Sequence, residues 1–165
     1  MNNESSAQAF AQHLQQKRYD YGPFNVLLFD GEQLYHYNNI TDTITKMQPG
    51  IHGLSNATLN TPWPKVELLK STFAHVLSNP SFSDDDVFAI LTNRTKAQDA
   101  ALPSTGVPLE LERNLSAIFI HFAGYGTRCS TVIRLTYTQW QFTERTYENS
   151  EHISSQQFVL PIEKR

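Results

Sequence analysis

The amino-acid sequence predicts an α+β fold layered around antiparallel sheet, and three observations carry that prediction. After an N-terminal helical stretch come short strand-like runs, then two helical periodicities, then strand-like runs again, an order that belongs to segregated helices and antiparallel strands. Apolar residues recur at three- and four-residue steps in two stretches, Ala7, Phe10, Ala11, Leu14 and Val66, Leu69, Phe73, Val76. Turn formers punctuate the rest: Asp30-Gly31, Pro49-Gly50 and Ala123-Gly124-Tyr125-Gly126 each close a short apolar run. No repeat, low-complexity segment or linker interrupts the 165 residues. They read as a single domain, 1–165, long enough to bury roughly 70% of the unfolded surface.

Each element has its own signal. Residues 5–18 read as helix, with Ser5 and Ser6 as alternative caps. Phe24 to Phe29 is apolar on both faces, the pattern of a strand covered on both sides. Asp30-Gly31 turns it into a return strand, Gln33 to Asn38, with Leu34 and His36 on one face and Tyr35 and Tyr37 on the other. Thr43 to Met47 and Ile51 to Leu54 complete a meander of about four strands. Thr61 reads as the N-cap of a helix to Leu77, with Pro62 and Pro64 in a first turn that needs no intrahelical N–H donors. Ser83 starts a second helix: Ser83 and Asp86 stand at capping-box spacing, and Asp84, Asp85 and Asp86 suit the positive end of the helix dipole better than a metal. Thr95 to Glu112 reads as irregular, with Pro103, Gly106 and Pro108. Leu115 to Phe122 reads as a strand, 131–137 and 140–147 as a hairpin, and Gln156 to Leu160 as the last strand.

Composition narrows the function. Hydrophobic residues make up 39% of the chain and charged ones 18%, with a net charge of −3. No basic stripe argues for nucleic acid or an anionic membrane. The start, Met1 to Gln16, is polar, and neither a signal peptide nor a membrane span is expected. Cys129 is the single cysteine, so an internal disulfide and a cysteine-based zinc site are excluded. A reducing, cytoplasmic setting fits. The six histidines, 13, 36, 52, 75, 121 and 152, show no ligand spacing, and no phosphate loop or G-x-S-x-G elbow is present. Neither a metal nor a cofactor is expected.

Two polar clusters remain. Gly53 to Lys65 runs Gly-Leu-Ser-Asn-Ala-Thr-Leu-Asn-Thr-Pro-Trp-Pro-Lys between strand-like and helical halves. Its loop, Ser55 to Asn60, can aim an Asn side chain and backbone N–H groups at an anion or a carbonyl oxygen. Alternatively, Asn56 and Asn60 only close turns. The second cluster is Gly124-Tyr125-Gly126-Thr127-Arg128-Cys129-Ser130-Thr131. Arg128 at a strand head can hold a carboxylate or a thiolate, or simply pair with Glu110, Glu112 or Glu144. Cys129 alternates with Thr131, Ile133 and Leu135, which places it as a buried structural thiol. Trp63, Phe73 and Phe88 either line an apolar pocket or form core.

The segments Gly22-Pro23-Phe24-Asn25-Val26-Leu27, Gly53-Leu54-Ser55-Asn56, Thr61-Pro62-Trp63-Pro64-Lys65, Leu102-Pro103-Ser104-Thr105-Gly106-Val107, Glu112-Arg113-Asn114-Leu115-Ser116, Tyr125-Gly126-Thr127-Arg128-Cys129-Ser130-Thr131-Val132 and Glu144-Arg145-Thr146 follow one another in order. Together they resemble the back part of the NRDE family, also called the transport and Golgi organisation protein 2 family. The resemblance implies a partial αββα sandwich of the N-terminal nucleophile hydrolase type, with helices outside antiparallel sheets. Family members carry a second-position cysteine and an Asn-Arg-Asp-Glu motif; here Met1 is followed by Asn2, and that motif is absent. By resemblance only two roles carry over: Asn56 would stabilise an oxyanion and Arg128 would support a cysteine. Ser55, Asn60, Trp63, Tyr125 and Thr127, their neighbours in the two polar clusters, are the candidate binding residues. Without the nucleophile segment the chain is expected to be non-catalytic alone. The alternatives are part of an amidohydrolase acting on an amide or acyl bond, or a carrier of lipid, acyl-CoA or haem. A sandwich lacking its first strands should expose a sheet edge and inner-face apolar surface. The expected partner is therefore a second copy of the chain or a separate front-half chain.

Overall fold

The computed structural model of the chain describes residues 6–162. It confirms an α+β fold with antiparallel sheets. The chain forms two compact units divided between Thr61 and Pro62.

The N-terminal unit is one helix on one three-stranded meander. Helix α1 spans Ala7–Gln16, capped by the Ser6 hydroxyl, which accepts from Ala9 N; Ser5 lies outside the described residues. The helix ends two residues before the expected boundary, and Arg18–Asp20 follow as a single 3₁₀ turn. Strands β1 (Asn25–Phe29), β2 (Leu34–Asn38) and β3 (Thr43–Lys46) pair in that order. The register sets the faces, because directly opposed residues share a side. Tyr35 and Tyr37 lie on the α1 side with Val26, Leu28 and Ile44. There the Tyr35 hydroxyl donates to Gln8, Gln15 donates to Asp42, and Arg18 pairs with Asp42 at 2.6 Å. Ala7, Ala11 and Tyr37 form the centre of this small core.

The other face of this sheet carries Asn25, Leu27 and Phe29 beside Asn38, His36 and Leu34. Leu27 is 48% exposed and Phe29 37%, so β1 is not covered on both sides as its sequence suggested. The expected fourth strand is absent: 51–54 is irregular, and the chain instead turns through a loop closed by Asn60 N donating to Gly53 O at 2.7 Å.

In the C-terminal unit, α2 spans Pro64–Leu77 and α3 spans Asp84–Leu91. The cap of α2 is Trp63 rather than Thr61. A residue preceding proline is driven out of the helical region, and Trp63 is extended (φ −69°, ψ 146°), so the helix can begin only at Pro64. The Thr61 hydroxyl donates to Thr58 O instead. The capping box of Ser83 and Asp86 is present in both directions. The other two carboxylates of that turn bind the sheet: Asp84 takes Arg134 and the Thr143 hydroxyl, and Asp85 takes Arg145.

Helix α4, Leu109–Leu115, was missed by the sequence reading, which took the segment as irregular. Conversely, Leu115 to Phe122 is not a strand. Ala117 and Phe119 are buried in irregular chain, and only His121–Phe122 (β4) pairs, with Tyr125–Gly126 (β5). An apolar run states burial, not conformation. Gly126 is required here, because a Cβ would stand 2.9 Å from Ile120 O.

Strands β6 (Cys129–Leu135), β7 (Gln139–Glu148) and β8 (Glu151–Pro161) form the main sheet, in that order. Asn149 and Ser150, both at positive φ, make the tight turn between β7 and β8. Ser130, Val132, Arg134, Thr143 and Arg145 face the helices; Phe88 is fully buried under the Arg145 guanidinium, 4.1 Å from its ring. The opposite face carries Cys129, Thr131, Ile133 and Leu135, with Trp140, Phe142, Phe158 and Leu160 across the register. Ile133, Phe158 and Leu160 are each more than half exposed. Cys129 is therefore exposed, and the expectation of a buried thiol is corrected. The alternation was right, but the helices pack on the other side of the strand.

Candidate functional site

Five of the seven predicted residues fall into two separate clefts, one in each unit. The first, of about 780 Å³, is walled by Pro23, Phe24 and Asn25 at the start of β1, by Asn38, Ile40 and Thr41 at the end of β2, and by Leu54 to Thr58 with Thr61. Its lining contains amides, hydroxyls and apolar groups, and no residue that titrates near neutral pH. Ser55 and Asn56 both line it. Asn56 is exposed, and its amide takes no partner among the described residues. A carboxamide N–H₂ held at the rim of an uncharged cleft can donate to a carbonyl oxygen, and more strongly to one that gains negative charge.

Asn60 is placed differently. It has φ 58°, its Oδ1 accepts from Gly53 N at 2.9 Å, and its Nδ2 meets His52 Nδ1 at 2.9 Å. Both ends of its amide serve the loop. The turn-closing reading thus describes Asn60, while Asn56 is left open.

Sequence reading missed the floor of this cleft. Asn25 Oδ1 accepts from His36 Nε2 at 2.8 Å and from Asn38 Nδ2 at 2.9 Å, while Asn25 Nδ2 donates to Ala57 O at 2.8 Å. Asn38 Oδ1 accepts from Ile40 N and Thr41 N. His36 is 1% exposed, and burial pushes its pKa below the ordinary value of 6.5. The signal was available: three polar side chains sit on one face of a strand pair whose flanks are apolar.

The second cleft, of about 520 Å³, lies between the β4–β5 hairpin and the β7–β8 turn. Tyr125, Thr127 and Arg128 line it, with His121 and Glu148. Thr127 serves the backbone, its hydroxyl accepting from Ile120 N. Tyr125 is 57% exposed and leans on Phe122, 5.2 Å between ring centres. The Arg128 guanidinium is exposed and joins none of the ion pairs among the described residues. Of the carboxylates expected as partners, Glu112 accepts from Thr105 and Glu144 from Thr131, and Glu148 lines the same cleft without an ion pair to Arg128. Arg128 is thus available to an anion.

Trp63 belongs to neither cleft. Lys65 Nζ lies 5.8 Å from its ring and donates to Leu115 O; burial lowers the pKa of that amine. Phe88 is core, which removes it from any open aromatic pocket with Trp63 and Phe73. Among the described residues no group of three histidine, cysteine, aspartate or glutamate side chains could hold a metal, and no helix is long and apolar enough to cross a membrane.

Residues 1–149 match the model of the family described as Transport and Golgi organisation 2. The chain belongs to that family. It is 30% identical over 128 residues to the human Transport and Golgi organization protein 2 homolog, covering 68% of this chain and 46% of the human one. The Mus musculus homolog is 28% identical over 141 residues, covering 76% and 51%, and the Bos taurus homolog 28% over 150 residues, covering 79% and 53%. The chain thus spans about half the length of the curated family members it matches. Both clefts lie within the matched stretch, except for Ser150 at the rim of the second.

Proposed function

We propose that the cleft beside Asn56 receives a neutral amide or acyl group, and that this chain binds the group without turning it over. The observation that carries the reading is the open Asn56 amide at the rim of a cleft free of charge. Asn56 donates to the carbonyl oxygen, and the apolar walls at Phe24, Ile40 and Leu54 take the hydrocarbon. Amide or acyl transfer also needs a nucleophile with its base. Exposed Cys129 has no hydrogen-bonded base among its described contacts, so the nucleophile is assigned to residues outside this sequence. Arg128 is assigned to hold an anion, a carboxylate or thiolate, in the cleft of its own unit.

Titration of isotopically labelled protein with hexanamide tests the reading. Saturable shifts of the Asn56 side-chain N–H₂ signals are expected, weaker with hexanoate and lost in Asn56→Ala. Equal shifts in Asn56→Ala, or none in the wild type, would remove it.

A second reading is favoured by the open apolar face of β6–β7–β8. Ile133, Leu135, Phe158 and Leu160 are too exposed and too close together for an uncommitted surface. We assign the cover to a sheet-forming segment from the other half of the family's length, because the chain accounts for only about half of each matched homolog. Light scattering with and without a front-half polypeptide of the family should show a one-to-one complex. A homodimer formed on that face by this chain alone would replace the assignment with self-association.

A further inference from the structure

The loop that carries Asn56 needs a fixed position if its amide is to meet a carbonyl oxygen, and its own sequence, Ser55 to Thr58, contains nothing stiff. Asn60 and Thr61 close its ends, on Gly53 and Thr58; what ties its middle lies in the sheet below. Asn25 is the only residue of β1 with a carboxamide, and three of its four hydrogen-bonding positions are used: Oδ1 takes His36 and Asn38, and one Nδ2 hydrogen holds Ala57 O. The two donors on Oδ1 decide which way the amide faces. His36 and Asn38 are 1% and 6% exposed, so water cannot replace Asn25 as their acceptor cheaply. With Oδ1 claimed from below, Nδ2 can only point upward, to the carbonyl of the residue following Asn56.

We propose that Asn25 is the positioning residue of the cleft in the N-terminal unit: a carboxamide locked by buried His36 and Asn38 that latches the Asn56 loop through Ala57. His36, which is not part of the cleft lining, orients the latch from below, and Asn38 does so from the cleft wall. The inference rests on the reading of Asn56 given above for its functional meaning, but the latch itself is a property of the free protein. A hydrogen bond between neutral groups restricts the loop while leaving the cleft uncharged, which a lysine or arginine latch would not do.

Asn25→Asp separates the latch from the fold. The carboxylate keeps an acceptor for His36 and Asn38 and turns an oxygen, not an N–H, toward Ala57 O. In wild type, backbone order parameters at Asn56 to Thr58 should be those of rigid chain, about 0.85, and in Asn25→Asp they should fall below about 0.6. The amide spectrum of β1–β3 should be retained. Hexanamide should bind at least tenfold more weakly. If Asn25→Asp does not fold, Asn25→Ser, which keeps an oxygen but cannot reach Ala57, takes its place.

Unchanged order parameters at Asn56 to Thr58 overturn the latch. So does wild-type hexanamide affinity in a variant whose loop has loosened, because the loop would then not position Asn56. If wild type itself does not bind hexanamide, the amide-binding reading fails. The latch then stands or falls on the order parameters alone.

Discussion

The two three-stranded sheets of this chain each pack helix on one face and leave the other partly open, but they furnish the open face in opposite ways. In the N-terminal unit one end of that face is polar, and its buried polar groups are paired through Asn25, His36 and Asn38. In the C-terminal unit the open face is a patch of isoleucine, leucine and aromatic side chains. Paired polar groups specify one geometry and suit a site. Unpaired apolar groups specify only that something must cover them. The covered faces differ as well. The C-terminal unit buries a large aromatic under charged clamps from α3, whereas the N-terminal unit closes with alanines against tyrosines.

The largest effect separating the two should come from Phe88→Ala. Phe88 is fully buried, so the change should cost about 3–5 kcal/mol through lost transfer energy and the cavity left behind. Urea unfolding followed at Trp140 should show it, while the shifts of α1 and β1–β3 stay in place. Next comes Asp84→Ala, which strips the partner from Arg134 and Thr143 together. Charged hydrogen bonds that are partly buried are worth about 1.5–3 kcal/mol each, so a loss of about 2 kcal/mol is expected in the same transition. A loss of less than half a kcal/mol would mean that α3 is held by its apolar face alone.

These clamps show where sequence reading succeeds and where it stops. The capping box of Ser83 and Asp86 was legible because it is local, three residues apart. The arginines that take Asp84 and Asp85 stand 50 and 60 residues away, and only the fold brings them near. Strand alternation around Cys129 was also legible, yet the sequence does not say which side of a strand the helices choose. For the same reason Asn56 could be named as a candidate, while Asn25, which fixes its loop, read as an ordinary residue in an apolar strand. The cap at Trp63 was the exception: the Trp-Pro pair carried the needed restriction, and the polar side chain of Thr61 drew attention away from it.

The polar network predicts a dependence on pH that the apolar face cannot have. Burial lowers the pKa of His36 in the folded protein below its unfolded value near 6.5. The unfolded chain therefore binds more protons in that range, and stability is complete above 6.5 and falls as the pH drops through the folded pKa. Asp30, held low by backbone N–H groups of Gln33, Ala7 and Glu32, and Asp42, held low by Gln15 and Arg18, both titrate below 3.8, outside this window. Unfolding of the N-terminal unit between pH 7.5 and 5.5 should thus lose stability in the wild type and become nearly flat in His36→Gln. An equal slope in both proteins would show that the imidazole does not carry the effect.

The smallest expected change in stability is at Phe158→Glu, and it is the sharpest test of the contrast between the two faces. Phe158 is 56% exposed on the edge strand β8 and opposes Phe142 across the register. Replacing a half-exposed side chain of a monomer should move stability by no more than about 0.5 kcal/mol. A cover that buries this face would, however, meet an unpaired carboxylate in apolar surroundings, and that is strongly unfavourable. Phe158→Glu should therefore unfold in urea like the wild type while failing to form the one-to-one complex with the front-half polypeptide. Asn25→Asp, whose change lies in the other unit, should form that complex normally. If Phe158→Glu still binds the front half, the apolar face is not the interface, and the comparison of the two sheets reduces to a difference in surface composition.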